Sequence, residues 1–186
     1  MPFKPQVFKE AITGHVPDAT AETLARACAD YVGLTTPLQK ARCIKDIMDA
    51  LDQAVDEPTR QAIMQNCGRQ CISASTLNKA RKLAKATSDL DDLLAQLNQA
   101  HIGGGHLHRE GGVIHGTYTR CYCGSVSHAK EPLSPTYCQC SCGWYRQLFE
   151  TLLEKPVAVE LVSSIIQGDE SCRFLIHIQP TKGESR

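Results

Sequence analysis

Apolar positions along residues 1–100 recur at helical spacing. Leu24, Cys28 and Val32 stand at i, i+4 and i+8 within Thr20–Val32, one face of a helix. Thr36-Pro37 predicts an N-cap with proline in the first turn, and the helix it opens aligns Ile44, Ile47, Met48 and Leu51, with Cys43 beside Ile47. Asp56-Glu57-Pro58-Thr59 opens a third helix through Ile63, Met64 and Cys67, and a short basic fourth helix is predicted over 74–86. Ser88 is placed to cap a fifth, whose acidic first turn suits the helix dipole and whose stripe is Leu90, Leu93, Leu94 and Leu97.

The pattern changes after residue 100. Gly103-Gly104-Gly105 predicts a helix stop and a flexible joint. Strands are predicted over 106–110 and 113–121, joined at Gly111-Gly112, and over 157–167 and 171–179, joined at Gly168-Asp169. Between the pairs lie a Pro/Ser-rich loop, 131–135, and a helix over 143–154 with Trp144, Leu148, Phe149 and Leu152 apolar. The predicted class is α+β: a helical region, 1–100, then a cysteine-rich region, 101–186, built as an antiparallel sheet with a packed helix, the two forming one unit.

Charge removes several functions. Twenty basic residues balance twenty acidic ones, 12 against 12 in residues 1–100 and 8 against 8 in 101–186, so neither half offers a basic surface to nucleic acid. No run approaches the roughly 18 apolar residues of a membrane span. The N-terminal residues, Met1-Pro2-Phe3-Lys4-Pro5, carry no apolar signal region, so the expected location is the cytoplasm. Thiols stay reduced there, which favours metal ligation or thiol chemistry over structural disulfides.

Cysteine is the informative residue. Of ten, five fall within 22 positions, as Cys121-x-Cys123 and Cys138-x-Cys140-x-Cys142. In extended chain, residues i and i+2 project to one face, so each group can meet one ion, and the helix predicted to follow Cys142 would favour thiolates. Cys67 and Cys71 stand four apart, on one helix face, with Gly68 loosening the helix between them. Soft sulfur donors in this density suit Zn²⁺ or, as the alternative, an iron–sulfur cluster, although no ferredoxin spacing is present. Cys28 and Cys43 are expected to be plain core. His101, His106, His108 and His115 surround the first hairpin, with His106 and His108 on one strand face; they and His128 are candidate nitrogen ligands or bases, or simply solvated. No Ser/His/Asp signature or phosphate loop occurs, and Glu150 and Glu160 read as exposed face residues.

The segment 157–174, with Glu160, the Gly168 turn and Cys172-Arg173-Phe174, resembles the closing segment of the 4-vinyl reductase domain family. It is also similar to the ending of proteins related to L-2-amino-thiazoline-4-carboxylic acid hydrolases. The 118–123 and 138–150 motifs resemble an uncharacterised bacterial cysteine-rich family with this ending. The resemblance implies a ligand-binding fold with a pocket between helices and an antiparallel sheet, sometimes with a cysteine-held metal, and adds Cys172 to the candidates. Vinyl reductase-type domains often carry a cysteine three residues after the Glu; that place is Ser163 here. The expected function is a metal-binding, small-molecule-binding protein of sensory or accessory role, its ligands drawn from Cys121, Cys123, Cys138, Cys140 and Cys142, then Cys67, Cys71 and Cys172. The alternatives are a thiol-dependent hydrolase or reductase, recognised by one thiol of depressed pKa among inert ones, and a redox switch.

Overall fold

In the computed structural model, which describes residues 3–179, the first half forms α1 (Pro5–Ile12), α2 (Asp18–Gly33), α3 (Pro37–Ala54), α4 (Glu57–Arg69), α5 (Ala74–Ala86) and α6 (Leu90–Gln99). The caps explain the boundaries. Thr36 and Gln39 form a full capping box on α3, and the Asp56 and Ser73 side chains accept from the backbone N–H three residues on. The cap of α6 is Asp89, not Ser88: its carboxylate accepts from Asp92 N–H at 2.9 Å. Helix α1 has no counterpart in the sequence reading; it buries Phe8, Ala11 and Ile12.

The second half supplies β1 (Leu107–Glu110), β2 (Val113–Tyr118), α7 (Gln139–Leu153), β3 (Val157–Ser163) and β4 (Cys172–Ile178). The strands form one antiparallel sheet in the order β1-β2-β4-β3. The fold is therefore the α+β arrangement that the two periodicities predict. Strand β3 stops at Ser163, after a bulge between Leu161 and Ser163, because Asp169 accepts the Ser164 N–H at 2.8 Å and starts a 3₁₀ turn. Strand β2 stops three residues short of its predicted end, so Cys121 and Cys123 lie in a loop. One face of the sheet buries Ile114, Tyr118, Cys172, Phe174 and Ile176 in the same core as Leu148 and Phe149 of α7.

Helices α4 and α7 cross with unusually little room. A Cβ on Gly68 would stand 1.9 Å from the Cys140 carbonyl oxygen, and one on Gly143 would stand 1.8 Å from that of Gln65. Gly68 is thus a contact surface rather than a loosened turn: each helix contributes a glycine at the crossing. The crossing is fastened by Arg69, which donates to Glu150 at 2.5 Å and to Gln147 at 3.0 Å, while Arg146 holds the other Glu150 oxygen at 2.9 Å. Glu150 is therefore a half-buried tie between the helices, not an exposed face residue. Burial raises its pKa, but the hydrogen bonds from Arg146 and Arg69 outweigh that and leave it below the usual carboxylate range.

Each of the two apolar cores draws on both halves of the chain. Val126, Leu133 and Tyr137 pack into the core of α1–α4, whereas Ile72, Ala80, Leu93, Leu94 and Leu97 pack under the sheet. The triglycine is likewise packed rather than a loose joint: a Cβ on Gly104 would meet the Tyr118 ring at 2.5 Å, and Tyr145 donates to the Gly103 carbonyl at 2.9 Å. Among the described residues, no helix is long and apolar enough to cross a membrane.

Candidate functional site

The glycine crossing brings the end of α4 against the first turn of α7, and both against the loop that leaves β2. Among them lies an apolar, largely enclosed cavity of about 60 Å³. Seven thiols line it: Cys67 from α4, Cys71 just beyond it, Cys121 and Cys123 from the loop, Cys138 and Cys140 at the start of α7, and Cys172 from β4. Phe3, Lys4, Met64, Tyr118 and Tyr137 complete much of the wall. Tyr118 shares its strand face with Ile114 and Gly116, and the period-two alternation of β2 could have placed it inward.

The loop is held by specific bonds. Ser125, buried, accepts the Phe3 N–H at 3.1 Å and bonds the Tyr31 hydroxyl at 2.9 Å. The Cys123 carbonyl accepts from Val126 and Ser127 at 3.0 and 3.1 Å, forming a turn. At the other end, Asp52 accepts from Ser134 and, at 2.7 Å, from the buried Thr136, with Arg60 3.2 Å from the same carboxylate. Ser134 also caps the 3₁₀ turn Pro135–Cys138, which runs directly into α7. That continuity starts α7 four residues before the predicted Gly143.

The early start corrects the expected geometry of Cys138, Cys140 and Cys142. On a helix, i and i+2 lie about 200° apart, not on one face. Cys140 therefore faces the cavity while Cys142 is fully buried in the core beneath the sheet. The helix N-terminus does not lower these thiols either. Burial dominates, pushing Cys138, Cys142 and Cys67 up to about 12 and raising Cys121. Cys28, up to about 11, and Cys43 are raised by the same cause, in keeping with their core role.

One thiol departs from the rest. Cys71 is drawn down to about 7, first by the hydrogen bond from Cys140 and further by the Lys4 ammonium, against its own burial. Cys140, the donor, moves up. The two sulfurs behave as a pair in which one proton is shared and the charge sits on the Cys71 side, nearer Lys4. Lys4 is positioned by its bond to the Gln70 carbonyl at 2.9 Å. Cys71, Tyr118 and Tyr122 also line an open cleft of about 440 Å³ with Lys79, His101 and Trp144, so they partition the inner cavity from an outer one. The remaining thiols have polar company: Cys123 with the Tyr137 hydroxyl at 2.8 Å, Cys138 with the buried Ser164 hydroxyl at 2.9 Å, and Cys172, which accepts the Ile165 N–H at 3.4 Å.

Other candidates lie elsewhere. Among the described residues no histidine lines the cavity. His106 and His128 are exposed, His101 borders the outer cleft, and His108 faces His115 across the hairpin rather than joining His106. Glu160 is on the outer sheet face, exposed, 3.9 Å from His177, so it does not share a site with Cys172. The donor set at the cavity is thus sulfur with hydroxyl neighbours, which fits a thiophilic ion chemically. Tetrahedral zinc thiolates, at about 2.3 Å, need sulfurs about 3.8 Å apart. Yet the one group of three or more Cys, His, Asp or Glu donors lying mutually within 4.8 Å, among the described residues, is His108, Glu110 and His115. The seven thiols converge on one space, but no three of them lie within 4.8 Å of one another.

Fold and site together define an α+β protein with a thiol-lined cavity between a helix crossing and an antiparallel sheet. The chain belongs to a family of unknown function, DUF6144, whose model matches residues 3–183. A search of curated proteins finds no match. Among solved structures the chain is similar to the phenol-responsive sensory domain of the transcription activator PoxR with phenol, at 19% identity and a TM-score of 0.44, over 78% of this chain and 75% of that one.

Proposed function

We propose that the protein binds a thiophilic metal ion in the thiol-lined cavity, Zn²⁺ in the first place and an iron–sulfur cluster as the alternative, in a sensory or accessory role. The observation that carries this reading is the convergence of seven thiols, from both halves of the chain, on one enclosed apolar space. Buried thiols so close together are costly as thiolates unless a cation compensates them. An ion would supply that charge and accept sulfur from α4, the β2 loop, α7 and β4. Because no three of those sulfurs lie within 4.8 Å of one another, binding draws the four elements inward. A ligand that favours one spacing over another shifts the conformational balance, which is the physical requirement of a sensor. A small-molecule ligand, as the vinyl reductase-like ending implies, has its place in the outer cleft beside Cys71.

Metal content after anaerobic purification, read with an absorption spectrum, tests the proposal. About one colourless equivalent supports zinc; iron with sulfide and broad visible absorption supports the cluster; neither, in protein refolded with each metal, refutes both. Zinc affinity should rise with pH, because the high-pKa thiols must each release a proton to ligate.

A second reading has its own observation: Cys71 and Cys140 share the inner cavity, and Cys71 also borders the outer cleft. In it, the Cys71 thiolate attacks a small disulfide, expelling one thiolate and forming a mixed disulfide. Cys140 then displaces the second thiol, giving a Cys71–Cys140 disulfide and two reduced thiols in all. Incubation with excess oxidised glutathione should yield that linkage in a peptide map; its absence sinks this reading alone.

A further inference from the structure

The outer face of the sheet carries a donor cluster that the thiol cavity does not use. Strands β1 and β2 join through Gly111 and Gly112, whose φ values of +56° and +85° give the tight turn that a two-residue hairpin needs. The turn sets the register, placing His108 opposite His115 and Glu110 opposite Val113. Residues two apart on a strand share a face, so Glu110 stands beside His108. The two imidazoles stack with centroids 4.9 Å apart and planes 18° apart. One ligand atom from each of His108, Glu110 and His115 lies within 4.8 Å of the other two.

Among the described residues none of the three side chains makes a hydrogen bond or ion pair elsewhere. The neighbouring cation, Arg109, is turned away and fastened to Asp91 at 2.6 and 3.1 Å. Among the described residues, nothing therefore competes for the Glu110 carboxylate.

We infer that His108, Glu110 and His115 form a second metal site, for a borderline divalent transition ion of the Zn²⁺, Co²⁺ or Ni²⁺ class. Two imidazoles with one carboxylate select this class over Mg²⁺ or Ca²⁺, which take oxygen shells, and over soft ions, which take sulfur. Donors at about 2.0–2.1 Å from a tetrahedral ion stand about 3.4 Å apart, so binding must close the present spacing, chiefly by rotation of the exposed His108 and Glu110 toward the half-buried His115. Three protein ligands leave the remaining positions to water, so the ion exchanges readily and is open to a further ligand.

The site is tested with Co²⁺ on the full chain, anaerobically and with thiols reduced. Equilibrium dialysis counts ions, and the sulfur-to-cobalt charge-transfer band reports thiolate ligation separately. The wild-type chain should bind one equivalent that adds no charge-transfer intensity. In His108→Ala/His115→Ala that equivalent should weaken by more than ~100-fold, beyond the ~10–100-fold that loss of an outer-shell partner brings. Glu110→Gln should weaken it less, and far-UV circular dichroism should be unchanged in both. Equal binding by the wild type and the double variant, or no equivalent free of the charge-transfer band, overturns the site whatever the thiols do.

Discussion

Gly68→Ala tests the helix crossing on which the thiol cavity depends. The new Cβ would sit 1.9 Å from the Cys140 carbonyl oxygen and 2.7 Å from its carbon, both backbone atoms that no side-chain rotation can move. Real Cβ contacts essentially never fall below 3.0 Å, so α4 and α7 must separate locally by at least about 1.1 Å. Overpacking of this kind costs about 1–3 kcal/mol and sometimes more, against which alanine recovers about 1 kcal/mol of helix propensity. Because the clash is with backbone that cannot rotate away, the cost falls at or above the top of that range, so the net should be a loss of about 2 kcal/mol or more. In a chain of this size that lowers Tm by roughly 2–4 °C per kcal/mol. Urea denaturation provides the free energy, and Gly33→Ala, at the end of α2 with open space around it, is the control that should lose nothing. Gly68→Ala/Gly143→Ala should cost less than the two single losses together, because once the helices part the second clash is relieved. The same displacement carries Cys140 away from Cys71 and should slow alkylation of Cys71. A Gly68→Ala protein as stable as the wild type would refute the reading of the crossing.

In the metal-free protein, iodoacetamide followed by peptide mass mapping should label Cys71 first, its rate rising through about pH 7 and levelling above about pH 8, while Cys67, Cys138 and Cys142 stay inert until strongly alkaline; uniform labelling would contradict the electrostatics. Cys140→Ser should lower bound metal, whereas Cys142→Ser, which faces the sheet core, should leave stoichiometry intact and only reduce stability; equal metal loss in both would show that the two faces of α7 are wrongly assigned to their roles. Asp52→Ala strips acceptors from Ser134 and the buried Thr136 and should cost about 1–3 kcal/mol by chemical denaturation; no change would mean the loop is held by apolar packing alone. Tyr145→Phe leaves the Gly103 carbonyl without its donor and should cost about 1 kcal/mol, readable as a lower urea midpoint at unchanged slope.

The residue pattern by itself determined the class of fold and the chemistry to look for. Helical spacing around Ile44–Leu51 and Leu90–Leu97, the caps at Thr36 and Asp56, and the glycine hairpin all depend on neighbours within a few residues, so they are legible locally. The density of thiols is likewise a one-dimensional property. Which thiols meet was decided only in three dimensions. Cys142 closes the motif yet faces away, because a capped 3₁₀ turn started α7 early and exchanged a two-residue period for a helical one. Cys71 and Cys140 are 69 positions apart in the chain, and nothing local predicts their contact. It follows from Gly68 and Gly143 letting two backbones approach, a steric fact that belongs to the pair of helices and to neither alone. The pKa order inverted for the same reason: a helix N-terminus is visible in sequence, but the burial that overrides it is a product of packing. His108 and His115 came together through a turn the sequence announces, but the convergence of their nitrogens with the Glu110 carboxylate required the folded surface.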